Sequence, residues 1–267
     1  MKTDFLSFLR PDIAEKYSVS IRLRVDGLCF HIYSDSGELE YEEWFAYPCG
    51  VYEEKDAVEE VFYKNPFLAY PYKKVIIYYE PLVYTLVPIQ LYDESKGSFW
   101  LQAISEEPEV GAEATARRWE CYTTELQDNK KLLLSAANKP VIRFLNRQML
   151  VVDPKPYFVD LLLQESKFAR ECTGRQLSVI IRKNAIDAFI FENGEIVFAN
   201  KFDLSVALDS EEVIGEIVYY ILMIARTQSL DACGDHLRIC VDDKRSHDMC
   251  QRLLDVASNF FQHCTID

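Results

Sequence analysis

The sequence predicts an α/β protein built from two related lobes. Three observations carry this reading: strand-like runs broken by Gly and Asn turns, helix-period segments that follow them, and the return of that order in both halves. Residues 19–44 read VSIRLRVDGLCFHIYSDSGELEYEEW, and residues 177–202 read LSVIIRKNAIDAFIFENGEIVFANKF. Each opens on a β-branched run and makes a short turn, at Asp26-Gly27 in the first and Asn184-Ala185 in the second. Each continues as an apolar strand, turns again at Ser36-Gly37 or Asn193-Gly194, and adds a third strand. Asp-Gly and Asn-Gly between apolar runs are strong hairpin signals. Two meanders with matching turns point to an internal duplication.

The segments that follow also match. After the first meander, Glu53 to Tyr63 reads as a helix and Lys74 to Tyr79 as a buried strand. After the second, Asp209 to Gln228 reads as a helix with a capping-box-like start at Asp209-Ser210-Glu211-Glu212. Val213, Ile217 and Ile221, with Val218 and Leu222 beside them, give it one apolar face. Leu237 to Val241 is the next strand. Lys244 to Phe260 is the last helix, with Met249, Leu253, Leu254 and Val256 on its inner side. Between the repeats, Asp93 to Ile104 reads as helical and Ser105 to Thr115 as a solvated loop. Cys121–Leu126 and Lys131–Ser135 resemble a hairpin. Helices at Pro140–Gln148 and Pro156–Phe168 flank a strand at Met149–Val152. The lobe boundary is expected near Cys172-Thr173-Gly174. This gives a first lobe over 1–175, with an inserted region around 93–137, and a second over 176–267.

Composition narrows the function classes. A net charge of −14 repels phosphate backbones and argues against nucleic acid as a partner. The longest apolar run in a helical setting, Val213 to Ala225, is interrupted by Gly215 and Glu216. It falls short of the ~20 residues a membrane span needs, so no transmembrane segment is expected. Residues Met1 to Arg10 lack the apolar block of a signal peptide. Eight cysteines without such a leader are expected as reduced thiols in a cytoplasm. Cys29 and Cys240 sit in apolar runs, where cysteine acts as a small hydrophobe.

A three-strand meander followed by helix, strand and helix, occurring twice, resembles the actin-like ATPase (ribonuclease H-like) fold. Val19–Tyr33 and Lys74–Pro88 (KVIIYYEPLVYTLVP) are similar to a Bacteroidetes family of unknown function with that fold. The resemblance runs from about Tyr17 to the end of the chain. More distantly, the layout resembles the actin-like assembly subunits of type IV pilus and type II secretion systems.

The resemblance implies a place for ATP. Nucleotide-binding members wrap the phosphates with two hairpin turns, each usually an Asp followed by glycines, because backbone N–H groups must approach without a Cβ in the way. A Gly-Gly turn ahead of a helix receives the adenosine. Carried onto this sequence, the candidate nucleotide residues are Asp26, Gly27, Asn184, Asp242 and Asp243. Leu28 and Cys29 follow Gly27 where further small residues are expected. The second turn, Arg182-Lys183-Asn184-Ala185, offers cations but neither Asp nor Gly, and none of the nine glycines are adjacent. The junction that would receive adenosine reads Val241-Asp242-Asp243-Lys244, whose carboxylates repel phosphate. The expectation is therefore degenerate nucleotide loops, no cofactor, and a non-catalytic scaffold or protein-interaction module. Its partner would be a protein, and self-association stays open. The alternative is a nucleotide-binding ATPase of the same superfamily.

Other groups have plainer readings beside the chemical ones. Asp242 and Asp243 can hold Mg²⁺ through water, or one can cap the following helix. Cys233, His236, Cys240, His247, Cys250, His263 and Cys264 crowd the second lobe, but only Cys233-x-x-His236 has a metal-clip spacing, so no metal is expected. No nucleophile-elbow context surrounds any Ser or Cys, so no catalytic residue is assigned. Phe67, Tyr70 and Tyr72 lie on a Pro-rich loop and are candidate interface aromatics; folding back onto the first lobe is the other reading.

Overall fold

The computed structural model describes residues 2–48, 53–104, 118–126, 130–149, 152–210, 212–240 and 247–266. The solvated loop expected at 105–115 and the Asp242-Asp243 junction lie outside these residues. The chain divides into two compact units. The first comprises Met1–Val83, Leu91–Thr124 and Leu133–Val159. The second comprises Tyr84–Gln90, Glu125–Leu132 and Asp160–Asp267. The divide falls ahead of the expected lobe boundary, and two short inner segments group with the second unit.

In the first unit, β1 (Ser18–Arg24), β2 (Gly27–Tyr33) and β3 (Leu39–Ala46) form an antiparallel meander. β4 (Lys74–Tyr79) runs parallel to β1, and β8 (Val152–Pro156) parallel to β4, giving the order β3-β2-β1-β4-β8. Alternation decides which side chains enter the core: Val19, Ile21, Leu23, Leu28, Phe30, Ile32, Val75 and Ile77 share one face. Helices α3 (Glu54–Lys64) and α5 (Lys139–Gln148) add Val58, Val61, Phe62, Val141, Phe144 and Leu145 to the same cluster. Phe62 meets Phe144 edge-on, with ring centres 5.5 Å apart. Each buried aliphatic or aromatic side chain contributes about 1.5–3 kcal/mol. Two short N-terminal helices, α1 (Lys2–Phe8) and α2 (Pro11–Ala14), and α4 (Gly97–Ile104) complete the α-helices of this unit among the described residues.

The second unit repeats the plan. β9 (Arg175–Ile181), β10 (Ala185–Glu192) and β11 (Glu195–Asp203) form the meander; β12 (His236–Cys240) lies parallel to β9 and β13 (His263–Ile266) parallel to β12. The order is β11-β10-β9-β12-β13. The registers correspond residue by residue. Arg24 pairs with Gly27, and the Arg182 N–H donates to the Ala185 carbonyl at 2.8 Å. Each meander carries a bulge at the same place, at Ile32/Tyr33 and at Ile190/Phe191. The Asp26 carbonyl accepts the Tyr47 N–H, and the Asn184 carbonyl accepts the Leu204 N–H. β5 (Tyr84–Pro88) belongs to the second unit, and β6 (Trp119–Glu125) pairs with β7 (Lys131–Asn138), in keeping with the hairpin expected there.

The two sheets differ on the face away from their apolar clusters. In the second unit that face is buried. Helix α6 (Val159–Glu171) brings Glu165 to it, where the carboxylate accepts from Gln176 at 2.6 Å, Ser178 at 2.6 Å and Arg238 at 2.9 Å. The Arg238 guanidinium also lies 4.0 Å from the Phe168 ring centre. Ser166 donates to the Gly194 carbonyl at 2.6 Å. Gly194 has φ 80° beside Asn193 at 52°, and a Cβ there would run into Arg170 of α6. The matching face of the first unit is half-buried and polar: Ser18, Arg22, Cys29, His31 and Tyr33 lie along it.

Several expected boundaries move. Both first turns sit one residue earlier than expected, at Val25-Asp26 and Lys183-Asn184, so Gly27 and Ala185 begin the returning strands. The helix expected from Asp209, α7 (Val213–Thr227), starts four residues later. Its capping box does not form: Ser210 Oγ accepts the Glu212 N–H, and the Glu216 carboxylate turns back to the Ser205 and Val206 N–H groups. β8 occupies Val152–Pro156, later than the strand expected at Met149–Val152, and the helix expected from Pro156 begins at Val159. Its prolines are tolerated because β8 is an edge strand. In α8 (His247–Ala257), Cys250, Leu253 and Ala257 face inward at spacings of three and four, while Val256 points to solvent.

Candidate functional site

The tip of the first meander is the place where the resemblance puts phosphate contacts, and the sequence folds it by packing. Gly27 has no left-handed φ. A Cβ on it would lie 2.5 Å from the Trp44 ring and closer still to the Phe45 carbonyl oxygen. The glycine is therefore required by β3, and the space beside it is filled by Trp44. Asp26 is half-buried beside it, with its carbonyl committed to Tyr47.

Next to this tip is a pocket of about 230 Å³ lined by Arg24, Val25, Glu54, Tyr79, Glu80 and Asn138 among others. Helix starts supply its polar groups. Asn138 caps α5, its Oδ1 accepting the Val141 N–H at 3.4 Å, with Pro140 in the first helical turn. The Asn138 amide then donates to Glu54 at 2.9 Å, from the first turn of α3. Burial pushes the Glu54 carboxyl above its ordinary value, and the Asn138 hydrogen bond only partly offsets this. The buried Tyr47 hydroxyl is held far above the usual phenol range, first by burial and then by the charges of Glu54, Glu80 and Asp26. Tyr79 donates to or accepts from Ser135 at 2.7 Å, and burial likewise raises its hydroxyl. Three carboxylates thus surround this end of the sheet, with Arg24 the basic side chain lining the pocket. Such a site suits a cation or a hydrogen-bond donor better than a polyphosphate.

The second meander's tip is also occupied. The sequence offers Arg182 as a cation to phosphate. The side chain is instead buried against Asp187, with Nε 2.8 Å from Oδ2 and Nη2 donating to Oδ1 at 3.1 Å. Tyr84 donates to the same Oδ1 at 2.9 Å and to the Asn200 carbonyl at 2.7 Å, and stacks on Phe189 with ring centres 5.8 Å apart. Lys183 and Asn184 are exposed at the turn itself. Asp26 and Gly27 belong to the first unit and Asn184 to the second, while Asp242 and Asp243 fall outside the described residues.

Of the loop aromatics, Tyr72 is core, and Phe67 and Tyr70 are half-buried against it. Phe67, Tyr70 and Tyr72 pack on the first unit's cluster, and Tyr72 is buried with its hydroxyl on the Phe67 carbonyl at 2.8 Å. Phe67 meets Phe30, Tyr41 and Phe45 ring to ring. An apolar cluster under the loop outcompetes solvent exposure for rings of this size. In the second unit, Cys250 is fully buried, which pushes its thiol up to about 11, and His236 stacks on His263. Among the described residues, these thiols and imidazoles do not converge into a three-donor group. Motifs alone do not point to Tyr47, Glu54, Glu80 or Asn138. Asn138-Lys139-Pro140 is a legible cap signal, but nothing local ties it to Glu54.

No helix among the described residues is long and apolar enough to cross a membrane. Among curated proteins, none matches the chain. Solved structures do. A Bacteroides thetaiotaomicron protein with an actin-like ATPase fold and unknown function is 20% identical, with a TM-score of 0.78 over 97% of this chain and 94% of that one. The PilM–PilN type IV pilus biogenesis complex matches at a TM-score of 0.58 and 12% identity, over 94% of this chain and 88% of that one. The cytoplasmic domain of EpsL, from the Vibrio cholerae type II secretion system, matches more weakly, at 0.41 and 11% over 84% and 81%. The paired meanders and the first of these likenesses establish the actin-like ATPase fold. Residues 7–263 match the model described as "Protein of unknown function (DUF3822)", and the chain belongs to that family.

Proposed function

We propose that this protein is a non-catalytic actin-like scaffold that binds another protein and does not use ATP. The observation that carries this reading is the first hairpin tip, where Trp44 fills the space beside Gly27 and Asp26, Glu54 and Glu80 bring negative charge around Tyr47. The second tip supports it, since Arg182 is already neutralised by Asp187. A phosphate site loses charge-assisted hydrogen bonds at both places. At roughly 1.5–3 kcal/mol each, three such losses take a micromolar site beyond millimolar. A fold neighbour solved as the PilM–PilN complex is in keeping with a protein-binding role for this architecture.

Calorimetric titration with ATP and Mg²⁺ tests the reading directly. The expected result is no saturable heat below millimolar concentration. Saturable micromolar binding that Asp26→Ala abolishes would establish the ATPase reading instead.

A further inference from the structure

We propose that Cys29, His31 and Glu42 form a three-donor site for a zinc-class divalent cation on the half-buried face of the first sheet. The strand geometry assembles it. Cys29 and His31 are two apart on β2 and share a face, and Glu42 on β3 is the direct cross-strand partner of His31. Cys29 Sγ lies 3.5 Å from His31 Nε2, and Glu42 Oε1 lies 3.5 Å from the same nitrogen. The three donor atoms all fall within 4.8 Å of one another.

The two 3.5 Å separations at His31 Nε2 are those of a tetrahedral coordination edge. With Zn–S at about 2.3 Å and Zn–N and Zn–O at about 2.0–2.2 Å, the S···N and N···O edges come to roughly 3.4–3.6 Å. Two groups converge on one imidazole nitrogen that can carry a single proton, so hydrogen bonding alone serves only one of them well. A cation between the three serves all of them. The far side of the ring is anchored as well: His31 Nδ1 lies 3.4 Å from Ser20 Oγ, which orients the ring with Nε2 facing the other donors. One sulfur, one imidazole and one carboxylate are a donor set that favours zinc over Mg²⁺ or Ca²⁺.

The fold does not require these residues. At the same positions of the duplicated sheet stand Asp187, Phe189 and Ala199, none of them part of a donor group of this kind. The Glu42 side chain is half exposed, so solvent reaches the site and water takes the fourth position. On binding, the Cys29 thiol releases its proton to solvent and enters as thiolate; no oxidation state changes.

The test uses the full, reduced chain after chelator treatment. Zn²⁺ is titrated in competition with a chromophoric chelator, and Co²⁺ is followed by absorption. The expected result is one ion per chain and a thiolate-to-cobalt charge-transfer band. Cys29→Ser should abolish the band and weaken Zn²⁺ by more than about 100-fold, and Ser20→Ala, which removes only the outer hydrogen bond, by about 10-fold. Glu42→Gln lies at the solvent edge and tests the carboxylate without threatening the fold; it too should weaken Zn²⁺. Absence of stoichiometric uptake overturns the proposal. So does a band that survives Cys29→Ser, or an affinity unchanged in Glu42→Gln.

Discussion

Arg24 and Arg182 occupy the same position in the two duplicated sheets, and their surroundings show how the copies have parted. Arg182 is locked to Asp187 inside a face closed by other chain segments. Arg24 lines an open pocket beside Glu54 and Glu80. The residue two positions into the returning strand differs in step: Asp187 in one copy, Cys29 in the other. On the apolar faces no such divergence has occurred. Val19, Ile21 and Leu23 correspond to Leu177, Val179 and Ile181, all buried aliphatics. The two core faces stay alike in kind because only volume and apolarity matter there. The opposite face is free to become a second core, as in the second unit, or a polar surface with chemistry on it, as in the first.

The largest effect that can break this comparison is loss of the buried ion pair. Asp187→Ala should cost about 3–5 kcal/mol in urea unfolding, because it leaves Arg182 buried without its counter-charge. In the metal-free chain, Cys29→Ala at the equivalent place should cost under about 1 kcal/mol, since the site is half-buried. Equal losses would mean that the two faces are energetically alike.

Gly27 and Ala185 sharpen the contrast at the next level. Gly27→Ala should destabilise by about 1–3 kcal/mol through overpacking against Trp44 and the Phe45 carbonyl. Ala185→Gly, which adds no atoms, should cost at most about 1 kcal/mol. Trp44→Leu in the Gly27→Ala background should recover part of the loss. A neutral Gly27→Ala would remove the packing argument for that glycine and reopen the tip to a ligand.

The smallest effect separates half-buried Glu54 from buried Glu165. Glu165 receives Gln176, Ser178 and Arg238, whereas Glu54 receives Asn138. Burial raises Glu54 above 4.5, so the folded state holds that proton more tightly than the unfolded chain does. Its contribution is fully present below 4.5 and is lost as pH rises through the folded value. Glu54→Gln should therefore melt higher than the parent near pH 7, with the gain vanishing by about pH 4. Glu165→Gln should melt lower near neutral pH, because Arg238 loses its charge partner. If both substitutions shift melting in the same direction, the distinction between the acids fails.

Much of the fold is legible in the sequence because strand alternation and turn chemistry are local. Asn193-Gly194 gives a left-handed turn from its residue types alone, and Lys74–Tyr79 is a strand with the bounds its apolar run suggests. The start of α7 is not legible, because the Glu212 N–H turns to Ser210 Oγ instead of an Asp209 cap, and Glu216 reaches back to Ser205 and Val206. The role of Gly27 is hidden for a related reason: the residue that fills its empty side, Trp44, is seventeen positions away on another strand. Cys29-x-His31 is visible as a same-face pair, but Glu42 joins it only once the register of the second turn is counted out. Site chemistry in a sheet depends on cross-strand register, and a single misplaced turn residue changes every neighbour.

The interleaved allocation of the chain also has a consequence for how the protein is made. Tyr84 leaves the ribosome 103 residues ahead of Asp187, the carboxylate it must hold. At ~5–20 residues per second, that strand waits roughly 5–20 s for its partner to be synthesised. Residues 84–90 and 125–132 therefore spend much of translation without the unit they join, while the strands around β1 to β4 can already condense. A nascent chain stalled before residue 160 would present these segments to chaperones. A polypeptide truncated at residue 175 would do so permanently.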